Sequence, residues 1–102
     1  MSTVFLSLSP EAFQDLVCLD MFLLGSEDPL AGELLDFILD ALEVLTHQPG
    51  IGRPVEGGLR ELIISRRRSG YLTRYACDDA LDRVMVARIR HQREVGYADK
   101  EV

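Results

Sequence analysis

The chain has 102 residues, 47% of them hydrophobic, with a formal net charge of −6. That length gives room for one domain over residues 1–102 with one modest core, and the composition is not that of a disordered chain. The most apolar stretch, Leu16 to Leu24, is far too short to span a bilayer and is interrupted by Asp20, and the first residues lack the basic flank of a secretory signal. The expectation is therefore a mature protein consisting of the whole chain, in the cytoplasm, with no membrane partner.

Charge is divided unevenly along the chain. Residues 1–52 hold nine carboxylates and no Lys or Arg, whereas all 11 bases lie at or beyond Arg53, and ten of those are arginine. An acidic total argues against general nucleic-acid binding, but the basic half makes a locally positive surface plausible there. Arginine keeps its charge when partly buried and presents a planar fork to phosphate or carboxylate, so the bias hints at anion recognition. The alternative for each arginine is a solvated face with internal ion pairs. The two cysteines, Cys18 and Cys77, have neither CxxC spacing nor a neighbouring His cluster, so they read as reduced structural residues, with no metal and no cofactor implied.

In chain order, Thr3 to Ser7 suits a short strand. Ser9-Pro10-Glu11 reads as an N-cap followed by proline at the first helical position, and Ala12, Leu16, Leu19 and Leu23 recur at helical spacing up to a stop at Gly25. Ser26 or Asp28 can cap a second helix with Pro29 in its first turn. Leu34, Ile38, Ala41 and Leu45 form its predicted buried stripe, and Glu33, Asp36, Asp40 and Glu43 an acidic stripe on the opposite side. A connection of about four residues would make the pair an antiparallel hairpin over about 10–47. His47 would sit at its C-terminal end, where it can serve the helix dipole.

The segment HQPGIGRPVEGG, residues 47–58, holds two prolines and four glycines and is loop chemistry. Beyond it, Leu59 to Ser65, Tyr71 to Cys77 and Arg83 to about Arg90 have strand character, joined through RRRSG and DDALD. Short connections predict an antiparallel meander over about 59–91. The reading is an α+β domain of order β-α-α-β-β-β, an antiparallel sheet packed against a helical hairpin.

The run PGIGRPVEGGLRELIISRRRSGYLTRYACDDALDRVMVARIRHQREVGY resembles the C-terminal half of RelE/ParE superfamily toxins, in its proline-glycine loop, its GLREL and GY strand entries and its last strand running into RHQREVGY. SPEAFQDL and the DAL of the second helix are similar to the family's N-terminal half, so the match covers about residues 9–97. The resemblance implies the toxin of a bacterial type II toxin–antitoxin, or plasmid stabilisation, module. Such a toxin inhibits growth unless it is bound by a cognate antitoxin in a hetero-oligomer.

The superfamily divides by target. ParE-like members poison DNA gyrase; RelE-like members are mRNA interferases that cut message in the ribosome. Metal-free RNA cleavage needs a base, an acid and cations for the developing phosphate charge. If the chain is RelE-like, the resemblance places that set at Arg74, His91, Arg93 and Tyr97. Histidine is the natural acid or base among these residue types, which gives that role to His91. Bland alternatives stand beside each: His91 capping the sheet edge, Tyr97 packing its ring with the hydroxyl in water. Partner- or anion-binding candidates are Arg60, Arg66, Arg67, Arg68 and Arg90, against a strand carboxylate pair for Arg60 and a solvated turn for the triple arginine. The wholly acidic helices oppose approach to the ribosome's phosphates, and GRPVEGGLREL is more similar to ParE-like proteins. The favoured reading is a ParE-like gyrase inhibitor; the alternatives are a ribosome-dependent endoribonuclease and a degenerate toxin that retains only antitoxin binding. The antitoxin would bring apolar anchors, and carboxylates for the arginines.

Overall fold

The computed structural model describes residues 4–66 and 69–92. In chain order they form β1 (Phe5–Leu8), α1 (Pro10–Gly25), α2 (Leu34–Leu42) extended by a 3₁₀ turn (Glu43–Thr46), β2 (Arg53–Pro54), β3 (Arg60–Arg66), β4 (Ser69–Asp78) and β5 (Arg83–His91). The five strands make one sheet in the order β1-β5-β4-β3-β2. The meander β3-β4-β5 is antiparallel, as its short connections require.

Two features correct the sequence reading of the sheet. β1 lies parallel to β5, pairing Phe5 with Arg83 and Leu8 with Val86, so the sheet is mixed rather than wholly antiparallel. The glycine- and proline-rich segment contributes a two-residue edge strand, Arg53 opposite Glu61 and Pro54 opposite Arg60. Proline is tolerated there because an edge strand need not donate on its outer side. The α+β class and the element order are otherwise as expected.

α1 begins where its cap chemistry places it. Ser9 is extended (φ −70°, ψ 160°), and its hydroxyl accepts the Ala12 N–H at 3.0 Å. The second helix starts later than Pro29. Asp28 Oδ1 accepts the Leu30 N–H and Asp20 Oδ1 accepts the Gly32 N–H, both at 2.8 Å, while Gly32 adopts φ +84°. These bonds stabilise turns over residues 26–33, so helix formation is postponed to Leu34. Asp28 thus closes a side-chain turn instead of capping a helix.

The core lies between the helices and one face of the sheet. Leu34, Ile38, Leu42 and Leu45 are all fully buried against Tyr71, Tyr75, Val84, Val86 and Ile89. Ala41, expected on that stripe, is only partly buried, and Leu42 takes its place. Glu33, Asp36, Asp40 and Glu43 face solvent as predicted. Among the described residues, no helix is long and apolar enough to cross a membrane.

The loop before β3 is held by side chains of the sheet. The Tyr75 hydroxyl donates to the Pro49 carbonyl (2.8 Å) and accepts the Gly52 N–H (2.9 Å), and Arg60 donates to the carbonyls of Gly50 (3.2 Å) and Gly52 (2.7 Å). A Cβ on Gly52 would stand 2.6 Å from the Tyr75 hydroxyl and 2.9 Å from the Glu61 carbonyl, which explains glycine at that position. Burial raises the Tyr75 pKa, although the Gly52 N–H favours the phenolate.

Candidate functional site

The chemistry-bearing residues are set out by alternation along β4 and β5. Tyr71, Thr73 and Tyr75 point from β4 into the core, so Leu72 and Arg74 occupy the opposite, outer face. On β5, His91 stands opposite Tyr71, Arg90 opposite Leu72 and Arg88 opposite Arg74.

The register slips between Arg74 and Tyr75: Arg74 pairs with Arg88 but Tyr75 with Val86, which leaves Ala87 as the extra residue of a β-bulge. α1 satisfies the backbone groups around this irregularity. The Ser9 hydroxyl donates to the Ala87 carbonyl at 2.8 Å, while the Ser9 N–H donates to the Val86 carbonyl at 2.9 Å. Asp15 Oδ2 accepts the Ile89 N–H at 2.9 Å. The same carboxylate takes a bidentate pair from Arg88, Nε to Oδ2 at 2.8 Å and Nη2 to Oδ1 at 2.9 Å. Asp15 is only 3% exposed. The sequence reading missed it, although its position three residues after Ala12 and four before Leu19 puts an acid on an apolar stripe. Such an acid demands a partner.

A second ion-pair group lies on the outer face. Glu61 sits between Arg53 (2.7 Å) and Arg74 (3.3 Å) across three strands. Burial alone would raise the Glu61 pKa; the hydrogen bonds from Arg53 and Arg74, with their charges, outweigh it and hold the carboxyl below its ordinary value. Arg74 is therefore committed to a carboxylate.

His91 is partly buried, its ring edge-on to Tyr71 at 5.3 Å between centroids and 83° between planes; Tyr71 in turn meets Phe37 at 6.4 Å. His91 thus shares the helical face with Tyr71, and the sheet lies between it and Arg74. Arg60 donates to the loop carbonyls of Gly50 and Gly52, and among the described residues no carboxylate pair is formed with it. Arg90 is half-buried on β5, and Arg66 closes β3 opposite Ser69. Arg67, Arg68, Arg93 and Tyr97 lie outside the described residues. Both cysteines are free thiols, Cys18 exposed and Cys77 donating to the Pro49 carbonyl at 3.3 Å. Among the described residues, no three His, Cys, Asp or Glu side chains group so as to hold a metal ion.

Residues 6–96 match the family described as the ParE toxin of the type II toxin–antitoxin system parDE. The chain belongs to this toxin family. The toxin is also similar to Toxin RelE3 of Caulobacter vibrioides (strain ATCC 19089 / CIP 103742 / CB 15), 36% identical over 87 residues that make up 85% of this chain and 92% of that protein. Its fold is similar to that of a chain in the chromosomal ParDE system of P. aeruginosa, with TM-score 0.68 and 21% identity over 85% of the toxin and 94% of that chain. It is likewise similar to a chain of the RelBE2 toxin–antitoxin complex of Mycobacterium tuberculosis, with TM-score 0.54 and 21% identity over 92% and 97%. The RelE/ParE superfamily implied by the motifs is thus the toxin's family, and its α+β fold, two helices with a mixed five-stranded sheet, is similar to that of these structures.

Proposed function

We propose that this toxin is held inactive in the cytoplasm by a cognate antitoxin, in a hetero-oligomer, and that on release it stops growth by ParE-like inhibition of DNA gyrase rather than by cutting mRNA. The observation that carries the choice is the separation of Arg74 from His91 by the sheet. A metal-free ribonuclease brings its base, acid and cation to one phosphodiester, each within hydrogen-bond reach of a reacting atom. Here Arg74 is bonded to Glu61 on the outer face, while His91 packs against Tyr71 on the other. The acidic helices add a second argument, since they oppose the phosphate field that a ribosome-directed enzyme must enter. Membership of the ParE toxin family and the likeness to a ParDE chain agree with this reading.

Similarity to a protein named Toxin RelE3 favours a second reading, a ribosome-dependent endoribonuclease with the candidate set Arg74, His91, Arg93 and Tyr97. The two separate cleanly when the toxin is expressed alone and assayed for growth, for gyrase supercoiling and for mRNA cleavage. The gyrase reading expects growth arrest, loss of supercoiling with purified toxin, intact message, and toxicity that survives His91→Ala. Cleaved message that disappears in both His91→Ala and Arg93→Ala would replace it with the ribonuclease. No growth effect at all would leave a degenerate toxin that only binds antitoxin.

A further inference from the structure

We infer that free toxin stacks head to tail, the acidic outer side of one copy's α1–α2 pair docking on the arginine-lined outer face of the next copy's sheet, whatever the toxin's target. Neither α1 nor α2 packs on that outer face. Alternation along the strands puts Phe5, Met85 and Ile63 there, where they stay 65%, 44% and 51% exposed. The same face carries Arg53, Arg74, Arg83, Arg88 and Arg90 against Glu61 and Asp78, a formal charge of +3 (five less two), and +2 even with Asp15 set against Arg88. The far side of the helices is apolar too. Phe13, Val17, Met21 and Leu24 make an exposed second stripe on α1, and a shallow groove that includes Phe13, Val17 and Leu35 carries it across to Leu35 and Leu39 of α2. A surface helix needs only one apolar face, so a contiguous exposed second one marks a contact.

Charge selects the occupant and its orientation. Glu11 and Asp20 on α1, with Glu33, Asp36 and Asp40 around α2, surround the helical stripe, and residues 1–52 contain no Lys or Arg. Two helical sides face to face would bring nine carboxylates against nine, and two sheet faces would set arginines against arginines. A helical side on a sheet face instead joins opposite charges, and apolar centre to apolar centre. It also completes the layering, because a second pair of helices on the outer face gives the sheet a helical layer on both sides. The two surfaces differ and lie on opposite sides of the molecule, so the contact is heterologous and a docked pair still offers one free surface at each end. Growth therefore has no built-in stop at two copies. Nucleic acid would meet the arginines but leave the acidic side uncovered, whereas a second copy satisfies both.

Sedimentation velocity on purified, nuclease-treated toxin reads the stack directly. The weight-average mass should climb with concentration past that of a dimer, and raising sodium chloride from about 0.05 M to about 0.5 M should weaken the association about tenfold. Two variants, one for each face, separate the modes. Val17→Gln with Leu35→Gln removes the helical anchors, Arg83→Glu with Met85→Glu spoils the sheet face, and each variant alone should stay monomeric. All four positions are exposed, so both variants should still melt cooperatively. Mixed, each supplies the surface that the other lacks, and a 1:1 pair of twice the monomer mass should form and grow no further. A parent toxin that stays monomeric, or whose dimer stops at two copies and survives in either variant, overturns the inference. So do folded variants that remain monomeric when mixed. An association seen only before nuclease treatment also overturns it and gives the arginine face to nucleic acid. If a variant fails to fold, the concentration and salt series of the parent decides.

Discussion

Asp15→Ala is the substitution for which the structure makes the largest demand. The carboxylate accepts three hydrogen bonds, two from Arg88 and one from the Ile89 N–H, at 2.8–2.9 Å, and its side chain is 4% exposed against 20% for Arg88. Removing one partner of a buried pair costs about 3–5 kcal/mol, and here Arg88 loses its bidentate carboxylate. Arg88 keeps some contact with water, which favours the lower part of that range. The orphaned Ile89 N–H adds about 1–3 kcal/mol. Both penalties act through one carboxylate and overlap, so the expected total is about 4 kcal/mol, a large share of the roughly 5–15 kcal/mol that stabilises a domain. For a chain of this size the melting temperature should fall by roughly 15–30 °C. Urea unfolding followed by circular dichroism gives the free energy directly. Asp15→Leu combined with Arg88→Met should recover most of the loss, leaving the Ile89 N–H as the residual defect, with a coupling energy of about 2 kcal/mol. An Asp15→Ala cost below about 1 kcal/mol would refute the claim that this pair joins α1 to the sheet.

Two further outcomes test the fold and its charges. Ile38→Ala should cost about 2–5 kcal/mol by opening a cavity under α2, while Asp40→Ala on its solvent side should stay within about 0.5 kcal/mol; the reverse order in urea titrations would turn the helix around. The Glu61 pKa is depressed from its ordinary 4.5, so its stabilising contribution is complete above that pH and is lost as pH falls through the lower folded value. Glu61→Gln should therefore flatten the acid limb of stability between pH 7 and 3, and parallel curves for the two proteins would rule this out.

The elements with local causes were legible in the sequence. Ser9-Pro10 marks the start of α1 because a cap and a first-turn proline act over three residues, and the α2 stripe is visible because Leu34, Ile38 and Leu45 keep one helical face. What escaped depends on partners far away in sequence. Asp15 finds Arg88 73 residues on, and the bulge at Ala87 exists only in the pairing of two strands. Arg60 looked like a carboxylate partner, yet its chemistry is set by the loop carbonyls of Gly50 and Gly52, which β2 brings within reach. The relative placement of two candidate site residues was hidden in the same way. Spacing put Arg74 and His91 on neighbouring strands, and only the register placed them on opposite faces.

The joint between α1 and β5 also sets an order of events during synthesis. Among the described residues β1 pairs with β5 alone, and Ser9 and Asp15 bond to Ala87, Arg88 and Ile89, so the contacts that hold the first helix to the sheet form only once nearly the last strand has been made. At translation speeds of about 5–20 residues per second, those 73 residues take roughly 4–15 s. For that interval α1 carries two unsatisfied apolar faces. The α1–sheet joint is therefore closed late, at the end of the toxin's own translation, and until then the acidic helix presents both of its apolar faces.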